Sequence, residues 1–307
     1  MTDAATRFAP VRGLREGGHL RVIAPSSPFD RASLMVGVER LRRRYVVSYD
    51  EGLFATEGFL AGDDARRLEE LHAALRDPTV DAIVCARGGY GAMRLLPSID
   101  LALVGSARKL LVGFSDVTAL HALWQRAGLR SLHGAMVAAL GRLPEARVAR
   151  WMQAVESHVP FEGHAPVWST RGRVVAPVVG GNLAILAALS GTPFFPPVDD
   201  AILLIEDVGE APYRVDRMLT TLRLSGALAR CAGVLVGDFT RCEPQKDGRD
   251  VDTVLRDRLG DLGIPVLMRV PVGHADEESW EVALGGLAEL DADRGLVTFL
   301  QSAVARD

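Results

Sequence analysis

The feature that most constrains this chain is an alternation in its first half. Short apolar runs at Leu20–Ala24, Ala82–Ala86 and Leu110–Phe114 are separated by stretches with helical periodicity. Runs of this length rich in Leu, Ile, Val and Ala suit strands buried on both faces, and strands alternating with helices make a parallel sheet covered by helices. Between the first two runs, Asp63 or Asp64 can cap a helix through Arg76, with Leu68, Leu71 and Leu75 on one face, His72 on its surface or flank, and a stop before Pro78. Residues 116–126 repeat the pattern, with Leu120, Leu123 and Trp124 on one face and Gly128 at the end.

Periodicity fades between about Pro144 and Arg173, where Pro160, Gly163, Pro166 and Gly172 fall. With 307 residues there is room for two domains, and 48% hydrophobic against 24% charged residues supplies cores for both. The expected division is an α/β domain over 1–160, a linker over 161–173 and a mixed α+β domain over 174–307. In that second half the expected elements are a helix near Asn182–Ser190, a strand at Ile202–Ile205, a helix after Pro212, strands at Val234–Val236 and Val266–Val270, and antiparallel runs at Trp280–Leu290 and Leu296–Leu300.

Composition excludes several classes. A formal net charge of −4 with no basic segment gives no footprint for nucleic acid. The only lysines, Lys109 and Lys246, lie outside any Gly-rich phosphate loop. Residues 1–18 lack the apolar stretch of a secretory signal, so export is not expected. The most apolar stretch, Val174–Val198, is interrupted by glycines, prolines and Asn182, so it reads as loop, buried helix, loop rather than a membrane span. Cys85, Cys231 and Cys242 form no CxxC pair, which argues against disulfides and structural zinc and fits a reducing cytoplasm.

Two loops carry candidate chemistry. The run Lys109–His121 passes from a strand through Gly113-Phe114-Ser115 into a helix starting at Asp116, which lifts the Ser115 hydroxyl above the sheet edge beside a positive helix end. N-capping is the commoner role of a serine at such a place. The second loop, Arg87-Gly88-Gly89-Tyr90-Gly91, follows a strand and lets backbone N–H groups approach a ligand, as an oxyanion hole requires; a plain tight turn has equal claim. A serine nucleophile needs a base. His19, His72, His121, His158 and His164 sit in less suitable contexts, leaving His274, after Gly273 on a loop, and His133 at a strand end. For the acid that orients the base, Glu206 and Asp207 directly follow a buried strand and Glu210 lies just beyond.

The motifs Gly88-Gly-Tyr-Gly, Gly113-Phe-Ser-Asp, Gly180-Gly-Asn-Leu, Ile205-Glu-Asp-Val-Gly-Glu-Ala-Pro-Tyr-Arg and Gly273-His, together with Leu60-Ala-Gly…Arg66, occur in an order that resembles the L,D-carboxypeptidases of the serine peptidase family that includes muramoyltetrapeptide carboxypeptidase. The resemblance covers nearly the whole chain. It implies a triad of Ser115 as nucleophile, Glu206 as acid and His274 as base, with an oxyanion hole from the N–H groups of Gly88, Gly89 and Asp116. It also implies a cytoplasmic homodimer that removes terminal D-alanine from murein tetrapeptides during peptidoglycan recycling, with no metal or organic cofactor. Arg87, Tyr90 and Arg214 are candidates for holding substrate and its terminal carboxylate. The chain departs from relatives that follow Gly-His with glycine: here Ala275 precedes Asp276, Glu277 and Glu278. Two other readings remain. One is an immunity-type peptidase cutting peptidyl- or aminoacyl-nucleotide amides, for which Trp280 or Tyr213 would need to stack in the cleft; the other is a non-catalytic muropeptide-binding module.

Overall fold

The computed structural model describes residues 7–157, 161–164, 168–244, 248–275 and 279–305. Strands β1 (His19–Ile23), β2 (Val46–Ser48), β3 (Ala82–Cys85), β4 (Leu110–Gly113) and β5 (Ser131–His133) build a parallel sheet in the order β5-β4-β3-β1-β2. β3 and β4 are buried at every position, which is why both read as unbroken apolar runs. The helix Asp64–Arg76 is capped by the Asp63 carboxylate, which accepts from the Arg66 N–H at 2.7 Å.

The second sheet comprises β6 (Phe161–His164), β7 (Trp168–Ser169), β8 (Arg173–Asn182), β9 (Ile202–Val208), β10 (Gly233–Thr240), β11 (Val266–Met268), β13 (Leu287–Asp291) and β14 (Leu296–Phe299). β8, β9, β10 and β11 run parallel at its centre. β13, β14 and β6 on one side, and β7 on the other, are antiparallel. The architecture is therefore the α/β class expected, a parallel N-terminal sheet followed by a mixed domain.

Four local readings need correction. Arg173–Asn182 is a central strand, not a loop; its apolar run continues through Gly180 and Gly181 because a Cβ on Gly180 would lie 2.3 Å from the Leu204 carbonyl oxygen of the neighbouring strand. Residues 161–164 and 168–169, in the stretch read as linker, are edge strands. β12 (Val282–Leu284) leaves the C-terminal half and pairs antiparallel with β5, so the chain returns to close the first sheet. His72 is buried rather than superficial, its Nε2 accepting from the Asp100 N–H at 3.3 Å.

Among the described residues no helix is long and apolar enough to cross a membrane, and no group of three His, Cys, Asp or Glu side chains is placed to hold a metal ion. Cys85, Cys231 and Cys242 are buried and not bonded to one another. Lys109 is spent structurally, its Nζ donating to the carbonyls of Ala74, at 2.6 Å, and Asp77. Lys246 lies outside the described residues.

Candidate active site

At the carboxyl end of β4 the chain turns sharply through Phe114 into a single 3₁₀ turn, Ser115–Val117, and the α-helix follows only at Thr118. Ser115 has φ +63°, in the left-handed region that an L-residue enters only under constraint. The cap position belongs to Phe114, with no side-chain capping bond, so the hydroxyl is not consumed as an N-cap. Gly113 sustains the turn: a Cβ there would sit 2.8 Å from the Val117 side chain.

The glycine loop lies against this turn. A Cβ on Gly88 would be 3.1 Å from Ser115 Cβ and 3.3 Å from its Oγ. Gly89 and Gly91 have φ of +113° and +125°, and Ser27 fastens the loop by accepting the Tyr90 N–H at 3.0 Å. Beneath it Asp116 is buried, and its carboxylate accepts from the Ser26 hydroxyl at 2.6 Å and the Ala92 N–H at 2.9 Å; burial raises its pKa. Arg67, fully buried, donates to the carbonyls of Pro25 and Gly91. Asp116 thus ties the β1 and β3 loops to the serine turn through its side chain, a role sequence reading missed because only its backbone N–H had a motif to suggest it.

The acid and the imidazole come from the second half. Glu206 and Asp207 are adjacent on β9 and so point to opposite faces of the sheet. Glu206, wholly buried, accepts from His274 Nδ1 at 2.7 Å through Oε2. His133 Nε2 stands 3.9 Å from Oε1, an electrostatic contact longer than a hydrogen bond. Burial alone pushes a carboxyl up, but the facing imidazoles of His133 and His274 more than reverse it and bring Glu206 down to about 2. Asp207 instead accepts from Asn182 Nδ2 at 3.0 Å and the Ala184 N–H at 2.9 Å, and burial, with the Glu206 charge, raises it to about 6. It fastens the carboxyl end of β8 at Gly180-Gly181-Asn182. That strand end abuts the serine helix, because the Asn182 N–H donates to Thr118 Oγ1 at 3.0 Å and a Cβ on Gly181 would lie 2.6 Å from the same oxygen.

The His274 ring packs on Phe114, the residue preceding Ser115, with centroids 4.8 Å apart. A carboxylate bonded to Nδ1 selects the tautomer whose lone pair is on Nε2, the state that accepts a proton. Glycine is demanded both in the supporting turn, at Gly273, and in β10 packed beside it, at Gly237. A Cβ on Gly237 would come 2.3 Å from the Val272 carbonyl oxygen, and on Gly273, at φ +130°, 2.8 Å from Glu206 Oε2. Gly273→Ala is therefore expected to cost more in denaturant unfolding than Gly128→Ala, which shares a positive φ but has nothing within 4 Å of the new methyl. Strain alone costs about 1–3 kcal/mol, and the clash adds to it only at Gly273.

His19, His72 and His121 are held in hydrogen bonds away from Glu206. His121 is enclosed, with Nδ1 on Ser131 Oγ and Nε2 on the Gly113 carbonyl, both at 2.8 Å, and burial holds it near 3, neutral. His19 bonds Thr79 and Ser48. His158 and the acidic run Asp276–Glu278 lie outside the described residues. Of the substrate candidates, Arg87 is exposed and donates to the Pro28 carbonyl at 2.8 Å. Tyr90 is half exposed and meets Phe59 edge-on at 5.3 Å. Arg214 donates to Tyr213 Oη at 3.2 Å and pairs with Glu210 at 3.6 Å. Trp280 packs on Phe161 and Phe299, while Tyr213 is half exposed beside Arg214 and Arg217.

Residues 20–134 match the family model of the LD-carboxypeptidase N-terminal domain, and residues 175–290 that of the LD-carboxypeptidase C-terminal domain. A putative carboxypeptidase of Streptomyces coelicolor is 41% identical over 93% of this chain and 94% of its own length. The murein tetrapeptide carboxypeptidase of Pseudomonas aeruginosa is 30% identical, covering 90% of this chain and 94% of its own. The crystal structure of muramoyltetrapeptide carboxypeptidase from Oxalobacter formigenes superposes with a TM-score of 0.82 at 28% identity, over 91% of this chain and 97% of that one. Fold and sequence thus define a two-domain α/β hydrolytic enzyme, and the chain belongs to the LD-carboxypeptidase family. Within that class it is a serine-type carboxypeptidase.

Proposed function

We propose that this enzyme releases the terminal D-alanine of murein tetrapeptides through an acyl-enzyme on Ser115, with His274 as base and Glu206 as the acid that orients it. The observation that carries the reading is the 2.7 Å bond from His274 Nδ1 to the buried Glu206 carboxylate, on a ring packed against the residue before Ser115. His274 Nε2 takes the Ser115 proton as Oγ attacks the carbonyl carbon between the L-centre of the diamino acid and D-alanine. The proton passes to the departing amine as the C–N bond breaks, and water, activated by the same imidazole, then frees the tripeptide and restores Ser115. The N–H groups of Gly88, Gly89 and Asp116 receive the oxyanion, each such donor contributing about 3 kcal/mol. Arg87 or Arg214 binds the terminal carboxylate, with Tyr90 walling the site. The reading places the enzyme in cytoplasmic peptidoglycan recycling, as a homodimer.

The test is D-alanine release from free and sugar-linked tetrapeptide, with and without chelator. Chelator-insensitive release supports the assignment. No release from either form, with turnover of an aminoacyl-nucleotide amide, would transfer the enzyme to the immunity-type reading; tight tetrapeptide binding with no product from any substrate would indicate a binding module.

A further inference from the structure

His133 ends β5, paired with Gly113 of β4 on one side and Val282 of β12 on the other, and is only 1% exposed. Among the described residues neither of its ring nitrogens makes a hydrogen bond. Burying an imidazole in that state costs free energy, and a residue present for packing alone would be apolar there. His121 gives the contrast: its ring stacks on His133 at 6.5 Å, and both its nitrogens are bonded at 2.8 Å.

What the His133 Nε2 faces is Glu206 Oε1, 3.9 Å away on β9 of the second sheet. That oxygen is buried and also lacks a hydrogen bond, whereas Oε2 of the same carboxylate accepts from His274. An approach of about 1 Å turns the His133 contact into a charge-assisted bond and satisfies both groups. The neutral Nε2–H tautomer and the imidazolium each carry the hydrogen that this bond needs. The terminal torsion of a glutamate is broad, so a carboxylate held at one oxygen swivels; one held at both keeps Oε2 in line with the His274 Nδ1. Phe114 packs on both imidazoles, at 5.5 and 4.8 Å between centroids, so the residue before the nucleophile joins the same packed unit.

We propose that His133 is a positioning residue: its Nε2–H is directed at Glu206 Oε1, fixes the plane of the carboxylate and leaves Oε2 to His274. The inference rests on the triad reading above. Through this contact the sheet that carries Ser115 orients the acid carried by the other sheet.

Long-range ¹H–¹⁵N correlation spectra of the full chain, labelled at histidine, read ring tautomers without any turnover. The His133 signals, identified by their loss in His133→Phe or His133→Gln, are expected to show hydrogen on Nε2 and to move in Glu206→Gln. A bare Nε2, with hydrogen on Nδ1 alone, overturns the proposal. Kinetics on murein tetrapeptide give the second readout. His133→Phe keeps a ring but has no donor, and is expected to lower kcat about 10–100-fold with KM changed less than about three-fold. His133→Gln, whose amide N–H reaches toward the same oxygen, is expected to return kcat to within about three-fold of wild type. In the Glu206→Gln background, where the carboxylate is gone, adding His133→Phe should cost less than about two-fold more. A role in folding alone costs the same factor in both backgrounds, and that result, or a wild-type rate in His133→Phe, overturns the proposal while the triad stands. Full activity in Glu206→Gln would instead strike the triad reading and this inference with it. Should His133→Phe fail to fold, or the tetrapeptide not be cut, the tautomer decides alone.

Discussion

Ser115→Ala is expected to lower kcat by about 10⁴–10⁶-fold while leaving the melting transition near that of the wild type. Removing the nucleophile of a triad costs about as much as removing the whole triad, because the remaining members have nothing to activate. The residue left behind is easily accommodated: Ser115 caps no helix, and alanine needs no more room than serine at φ +63°. Binding of tetrapeptide should persist, since the glycine loop and its tethers through Ser27, Asp116 and Arg67 are untouched. Rapid-quench D-alanine release and intact-mass detection of a tripeptidyl adduct on wild type but not on the variant check both halves of the statement. Unimpaired release from Ser115→Ala would remove the serine from the mechanism altogether.

Glu206→Gln carries the second large effect. A glutamine amide retains the shape and can still meet His274 Nδ1, but it can present its N–H₂ there and so stabilise the wrong tautomer; it also withdraws the charge that supports the imidazolium. In a comparable triad that change lowers kcat by about 10⁴. Because the Glu206 carboxyl is held down at about 2, it stays ionised throughout any practical assay range, and an acidic fall in rate cannot be ascribed to it.

The same shift has a stability consequence whose sign follows directly. A carboxyl whose folded pKa lies below its ordinary 4.5 stabilises the fold fully above that pH, and the contribution disappears as pH falls through 4.5 toward about 2. Any melting-temperature advantage of wild type over Glu206→Gln should therefore narrow across that window. An advantage that grows toward pH 2 would mean that the carboxylate is not stabilised by its histidines.

Much of this fold is legible locally. The helix over Asp64–Arg76 announces itself through its cap and its Leu68, Leu71 and Leu75 face, and β3 and β4 through apolar runs that both faces of the sheet bury. β8 is not legible, because glycines at 180 and 181 ordinarily mark a loop; here they permit a strand to pass close to β9 and to Thr118, contacts far apart in sequence. Likewise nothing local shows that β12 crosses back to pair with β5, or that His72 turns inward to meet the Asp100 N–H.

By itself the sequence determined much of the local frame of the site: Ser115 on a strand-to-helix turn, a glycine loop one strand away, and two carboxylates at the end of a buried strand, although that strand runs on through both of them to Val208. These depend on neighbours within a few residues, where turn chemistry and side-chain periodicity decide. Only the tertiary structure decided how the pieces meet. His133 and His274 both approach Glu206, and the 2.7 Å against 3.9 Å separations distinguish them. Glu206 and Asp207 are chemically alike and adjacent, yet alternation along β9 sends one to an imidazole and the other to Asn182. Which face of a strand looks toward which partner depends on the packing of segments tens of residues apart, and that is set by the closing of the two sheets against each other.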